Sequence, residues 1–359
     1  MLSLGFSYDS VKWIKSYLTN RRQSVICGKN KSTWLYVKSG VPKGSVLGPL
    51  LFLIFIDDLR YSIIHSFRLL YADDLQIYLQ MSPHSISQAL QSIELDISKI
   101  ITWSIKNNLP INFLKTQAIA FGNKKQIRDF YQSPPSIKCG EHIINFYKSV
   151  KNLGVTFDYQ LSFEEHFNKI SSSTNFILYR LRYFRSYIIP SLRKRLFTAL
   201  VFPHLNYCST AIGDLKAAQY ARLQKISNSG VRYINDLHIR QHITPHRYAL
   251  NWLSPSYQKL YSSLCLIYKI KNIGEPHLLK DKVVFYKPPR ALRIPNHELK
   301  VPASSCEQYD KSIFIYCTRQ WNTLPENIRH AHSLLIFKFL LHQYLVDYER
   351  RTPVLRSRL

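Results

Sequence analysis

The sequence predicts an α+β chain, with antiparallel hairpins and a helix in its first half and helices from there to the end. Two observations carry that prediction. Residues 68–79 run as a short apolar stretch, then Asp73-Asp74, then alternating apolar and polar positions, which is the period of a strand pair about a tight turn. From Ile86 onward the period changes: Ile86, Leu90, Ile93, Ile97, Ile100 and Ile101 recur at helical intervals and read as core.

The elements follow in order. Residues 7–19 place Val11, Ile14, Tyr17 and Leu18 at helical spacing behind Ser7, a capping residue type. Gln23–Cys27 and Thr33–Lys38 read as two strands about the polar turn Gly28-Lys29-Asn30-Lys31, which lacks the leading glycine of a phosphate-binding P-loop. Gly40-Val41-Pro42-Lys43-Gly44-Ser45 must turn; Ser45 is expected to cap a helix running from about Val46 toward Leu59. After the helix that ends near Trp103, Asn107 to Pro110 leads into an expected strand over Ile111–Phe121. Gly122–Gly140 reads as a loop, Ile143–Phe157 as a hairpin, and Asp214–Ile234 and Leu334–Tyr348 as helices.

Charge narrows the partner. Lys+Arg number 49 against 22 Asp+Glu, a formal +27 that calls for a polyanion, nucleic acid before any other. A membrane surface fits less well, because the cations are interleaved with Tyr and Phe rather than grouped over an aliphatic face. Between Met1 and Ile56 the only acid is Asp9, against Lys12, Lys15, Arg21, Arg22, Lys29, Lys31, Lys38 and Lys43. From His166 to Gly213 there is no acid, and Lys169, Arg180, Arg182, Arg185, Arg193, Lys194 and Arg195 are interleaved with Phe176, Tyr179, Tyr183, Phe184 and Tyr187. These cations are read as a nucleic-acid track, and the aromatics as the core of a helix bundle.

The six cysteines, Cys27, Cys139, Cys208, Cys265, Cys306 and Cys317, form no C-x-x-C, so they read as reduced core residues of an intracellular protein, in cytoplasm or nucleus. The apolar stretch near Val46–Ile56 is too short for a bilayer, and nothing at Met1 reads as a signal peptide. No membrane partner is expected.

Two chemistries stand side by side. Adjacent carboxylates between apolar strands repel each other and lose hydration, and Mg²⁺ held through oxygen ligands is the simplest compensation, so Asp73 and Asp74 are candidate metal ligands. The Gly40–Ser45 turn opens a helix, where backbone N–H groups and the positive dipole end favour an anion. Asp57-Asp58 is a second acidic pair at a helix end, read as capping or solvated. His166 reads as a structural histidine.

At these residues a family resemblance enters. Gly40–Phe52, GVPKGSVLGPLLF, is similar to the GVPQGSVLGPLLF block of reverse transcriptases of non-LTR retrotransposons, jockey-like in general appearance, and Tyr71-Ala72-Asp73-Asp74 matches their YADD box. Leu109, Asn112, Lys115 and Thr116 match an L-x-x-N-x-x-KT block. Lys151–Asp158 resembles the primer-grip block, and Leu223-Gln224-Lys225-Ile226 with Val231-Arg232 resembles a further helical block in which Ser227 and Ser229 depart from the family letters.

The resemblance implies RNA-directed DNA synthesis by two-metal nucleotidyl transfer, with Mg²⁺ (or Mn²⁺), an RNA template, a DNA primer and deoxynucleotides. Asp73 and Asp74 would be catalytic metal ligands, and Lys115 either approaches the leaving pyrophosphate or is an ordinary surface lysine. Gly40, Pro42, Lys43, Gly44 and Ser45 would face nucleotide and template, and Tyr71, Leu153 and Gly154 the primer. The implied domains are an incomplete polymerase palm (1–135, antiparallel sheet with helices), a primer-grip-like hairpin (136–165), a helical thumb (166–250) and a helical C-terminal extension (251–359). Two departures bear on activity. Lys43 stands where most members carry Gln, keeping phosphate contact but losing amide recognition. The family block with the first catalytic aspartate, the fingers and an endonuclease domain have no counterpart in these residues, so the expectation is a C-terminal piece inactive alone. The alternative is a non-catalytic basic nucleic-acid-binding remnant.

Overall fold

The computed structural model describes residues 1–213, 215–286, 298–304, 307–310 and 312–352. Helices and small two-stranded antiparallel sheets mix, as an α+β chain requires. The chain forms two compact units, Met1–Tyr147 and Lys148–Leu359.

The first unit is built on the helix Ile86–Lys106, whose apolar stripe serves two clusters. On one, Ile97 packs with Ile137, Cys139 and Ile144; on the other, Ile100 packs with Leu59 and Ile63, with Leu75 and Ile77 alongside. The first helix, Tyr8–Leu18, starts where Ser7 Oγ accepts the Ser10 N–H at 3.2 Å. The segment after it forms antiparallel pairs Arg22–Gln23 with Leu35–Tyr36 and Ile26–Cys27 with Asn30–Lys31, all exposed. Helix Gly48–Ile56 follows, then a 3-10 turn over Asp57–Ser62.

The structure corrects several expectations. Ser45 is not the N-cap, which is Leu47; its Oγ accepts from Gly48 N at 3.1 Å and donates to Pro42 O at 2.7 Å. Ile111–Phe121 is not a strand. Asn112 Oδ1 accepts Lys115 N and Thr116 Oγ1 donates to Asn112 O, so local side-chain bonds close a turn instead, and only Ala118 bridges to Phe146. Gly122–Gly140 is not a loop throughout. Asn123 Oδ1 caps a helix, Lys124–Phe130, and Ser136–Cys139 is a strand. The single hairpin expected over Ile143–Phe157 is two, Ser136–Cys139 with His142–Asn145, and Ser149–Asn152 with Val155–Asp158.

The second unit begins with that last hairpin. Val155, Phe163 and Phe167 bury together with Ile212, Leu215 and Leu223. Helices Glu164–Tyr183, Pro190–Leu200 and Ala217–Asn235 close around Leu178, Phe197, Val231 and Trp252. Asp214, the expected start of the third helix, lies outside the described residues. A further core gathers helices Pro255–Asn272, Ile313–Asn322 and Leu334–Arg351, with Phe337 stacked on Tyr268 and on Trp321. Cys139, Cys265 and Cys317 are buried, but Cys27 is exposed and Cys208 half-buried, which corrects their uniform assignment to the core; Cys306 lies outside the described residues. No described helix is long and apolar enough to cross a membrane.

Candidate functional site

Phe67–Tyr71 and Asp74–Tyr78 pair from Phe67 opposite Tyr78 to Tyr71 opposite Asp74, leaving Ala72 and Asp73 as the whole connection. A two-residue link is the tightest that joins antiparallel strands, and it needs positive φ. Ala72 supplies it at 52°, a region an L-residue visits at a cost of about 1 kcal/mol or more. Asp73 and Asp74 project at this tip, both exposed, and neither side chain has a hydrogen bond or ion pair among the described residues. Tyr71 beside them is 67% exposed.

What fixes the base of this ribbon is a residue the periodicity hid. Asp96 lies at 0% exposure in the apolar stripe of Ile86–Lys106. Its Oδ1 accepts the Ile64 and His65 N–H groups at 3.0 and 3.2 Å, and its Oδ2 those of His65 and Ser66 at 3.0 and 2.8 Å. Burial alone would raise its pKa, but the N–H donors outweigh it and hold the carboxyl below the ordinary value. Ser66 directly precedes Phe67, so the anchored segment sets the start of the first strand. An acid on the buried face, between Ile93 and Ile100, was the one signal available.

In the Gly40–Ser45 turn Gly40 and Gly44 have φ of 79° and 81°. Ser45 N bonds Pro42 O at 3.2 Å. Gly48 is tightly enclosed: a Cβ there would lie 2.9 Å from Ser45 Oγ and 3.3 Å from Val41 Cγ2, so either side chain would have to shift. Arg21 donates through Nε to Leu18 O at 3.0 Å, and its Nη2 binds the Gly40 carbonyl, so it ties the first helix to the turn and is held within the fold. Lys43 is exposed, and so is Lys115, in its own turn over Asn112–Thr116. No hydrogen bond or ion pair joins either lysine to Asp73 or Asp74 among the described residues. Asp58 accepts from Trp103 Nε1 at 3.0 Å and Asp57 pairs with Arg60 at 3.1 Å, which occupies the second acidic pair within the fold.

At the second hairpin Leu153 and Gly154 form the connection, with φ of 44° and 84°. Leu153 is strained there, and Tyr207 Oη holds it by donating to its carbonyl at 2.7 Å. The ring also crowds Gly154, where a Cβ would meet Tyr207 Cε1 at 3.2 Å. His166 is buried; its Nδ1 accepts the Thr156 N–H at 3.4 Å, and burial lowers its pKa, so it is a neutral structural group.

Residues 4–157 match the family described as "Reverse transcriptase (RNA-dependent DNA polymerase)", a span that holds both hairpin tips, the glycine turn and Lys115. The chain is 28% identical to the "Probable RNA-directed DNA polymerase from transposon X-element" of Drosophila melanogaster, over 62% of this chain and 24% of the relative. It is 25% identical to the "RNA-directed DNA polymerase from mobile element jockey" of Drosophila funebris, over 60% and 25% respectively. Over this span the chain is similar to RNA-directed DNA polymerases of Drosophila mobile elements. It spans about a quarter of the length of the curated relatives it matches.

The basic positions of the chain divide by geometry. Arg193 is buried; its Nη1 meets Asp236 Oδ2 at 2.7 Å and its Nε donates to Ile188 O at 2.6 Å. Arg185 shares Asp236, and Lys194 donates to Leu250 O at 3.2 Å. These three close the second unit on itself, so Arg193 in particular is removed from any track: a guanidinium with no exposed face cannot reach a phosphate. Arg22, Arg180, Arg182 and Arg195 are exposed. The aromatics expected as core are also corrected. Phe176, Tyr179, Tyr183, Phe184 and Tyr187 are all exposed, because Leu178 and Leu181 take the inward face of Glu164–Tyr183.

Proposed function

We propose that this chain contributes the metal-carrying hairpin and the primer-holding region of an RNA-directed DNA polymerase that copies an RNA template from a DNA primer and deoxynucleotides. One observation carries the reading. Two adjacent carboxylates without protein partners stand at a strained tip whose base is anchored by a buried aspartate, inside the family-matched span. Oxygen donors of this kind suit a hard divalent cation, Mg²⁺ or Mn²⁺, with Asp73 the direct ligand and Asp74 its neighbour. The bound cation would supply charge for the attacking and departing oxygens of nucleotidyl transfer. The rest falls to the chain. Gly40, Pro42, Lys43, Gly44 and Ser45 would present backbone N–H groups and one ammonium to phosphate; Lys115 would neutralise charge on the departing group; Tyr71 and the Leu153-Gly154 tip would border the primer. In this reading residues 1–135 act as an incomplete palm, 136–165 as the primer grip, 166–250 as the thumb and 251–359 as a helical extension, working in cytoplasm or nucleus.

A second reading, a basic nucleic-acid-binding remnant, is favoured by one fact. No group of three or more His, Cys, Asp or Glu side chains placed to hold a metal ion occurs among the described residues, so the hairpin supplies only part of a two-ion site. Primer extension by the chain on an oligomeric RNA template with Mg²⁺ or Mn²⁺ separates the two. Incorporation abolished by Asp73→Asn supports the polymerase; incorporation indifferent to it removes the hairpin as metal carrier; salt-sensitive binding with no incorporation supports the remnant.

A further inference from the structure

We propose that the outer face of helix Glu164–Tyr183 is a stacking platform for single-stranded nucleic acid. The helix turns Phe176, Tyr179 and Tyr183 outward at spacings of three and four residues, which puts them on one face, and exposed Tyr187 follows in the 3-10 turn after the helix. Their exposures are 62%, 71%, 75% and 86%. Water is a poor environment for four large rings, and among the described residues only Arg180, over Phe176, and Phe184, edge-on to Tyr183, lie against them.

Charge identifies the occupant. The nearest acids are already taken: Glu165 by Lys169, Glu164 by Arg222, and Asp236 by Arg185 and Arg193. Arg180, whose guanidinium lies over the Phe176 ring at 5.9 Å, and Arg182 remain exposed beside the row. Cations next to exposed aromatic rings recognise phosphate and base together.

Spacing selects a single strand. Steps of three and four residues rise about 4.5 and 6 Å along a helix. Bases in a duplex are stacked about 3.4 Å apart and offer no face except at the ends. A drawn-out single strand can seat one base per ring; a duplex can meet only the arginines. This inference does not rest on the polymerase reading, and its test needs neither nucleotide nor metal.

The test is fluorescence anisotropy of the full chain with labelled oligo-dT and, separately, a duplex of mixed sequence and the same length. Tyr179→Ala and Tyr183→Ala each replace an exposed ring by a good helix former, and circular dichroism checks that the fold is kept. Each is expected to weaken oligo-dT binding about tenfold, with duplex binding held within about twofold, while Tyr183→Phe binds as the parent does. Arg182→Gln is expected to reduce the salt dependence of single-strand binding, which the ring variants leave unchanged. Equal losses on single strand and duplex, or no binding of oligo-dT by the parent chain, would overturn the proposal. So would anionic phospholipid vesicles that bind the chain and lose it through the same two alanines, since the row would then be a membrane face.

Discussion

The carboxylate of Asp96 accepts the backbone N–H of Ser66 at 2.8 Å, thirty residues back along the chain and one residue before the strand that leads to Asp73. A hydrogen bond to a charged acceptor is worth roughly 1.5–3 kcal/mol, and this carboxylate accepts from three successive residues. Asp96→Asn replaces one acceptor oxygen by a donor that faces N–H groups. We expect a loss of about 2–3 kcal/mol in urea unfolding at neutral pH. Because the folded pKa lies below the unfolded one, the parent's advantage is complete above the ordinary aspartate pKa of about 3.9 and fades as pH falls through the folded value. The two unfolding curves should therefore converge in acid.

Asp73→Asn should behave in the opposite way. The side chain is exposed and unpartnered, so stability should change by no more than about 0.5 kcal/mol. Template-dependent incorporation, where the chain supports it, should be lost. A large stability loss would mean the tip is structural.

Gly230 faces the ring of Phe197, itself at 0% exposure, and a Cβ there would sit 2.3 Å from Phe197 Cζ. Alanine would gain about 0.8–1 kcal/mol of helix propensity, but overpacking costs about 1–3 kcal/mol or more, and against a rigid buried ring the cost wins. Gly230→Ala should lower the melting temperature, and Phe197→Leu should recover part of the loss in a double-mutant cycle.

Lys271 should register in the pH dependence of stability. Burial and the charge of Arg329 push it down to about 8, against the faces of Trp321 and Phe285, which lie 4.8 and 5.0 Å from Nζ and favour the cation. Between that value and the unfolded one near 10.4 the unfolded chain holds the extra proton, so stability should rise as pH climbs from about 8. Lys271→Met should flatten that rise in thermal melts taken at pH 7.5 and 9.5.

The arginines should separate by role. Arg193→Ala removes a buried guanidinium from half-exposed Asp236 and from the Ile188 carbonyl and should cost about 1–3 kcal/mol in unfolding. Arg182→Ala should leave unfolding unchanged and weaken nucleic-acid binding alone. Melting and binding curves for both variants check this.

The Phe67–Tyr78 ribbon and the Ile86–Lys106 stripe were legible because their periods differ and each stays regular over many residues. Ile111–Phe121 misled because Asn112 and Thr116 spend their side chains on nearby backbone, which alternation does not register. The short helix Lys124–Phe130 was signalled by Asn123, a capping residue inside a stretch that otherwise reads as polar loop. The row from Phe176 to Tyr187 reads as core because aromatic residues are usually buried, and only the inward turn of Leu178 and Leu181 decides otherwise. Of the candidate site, the tip residues could be read directly. Asp96 could not, because its partners are N–H groups thirty residues away that carry no side-chain signature.

The Phe67–Tyr78 ribbon has just two strands, and no other described strand pairs with it. Its outer rims therefore offer rows of unused amide and carbonyl groups, flanked by exposed Phe67, Leu69 and Tyr71. Such a rim is a template for pairing, so self-association through it is the expected outcome at high protein concentration, read by light scattering against concentration.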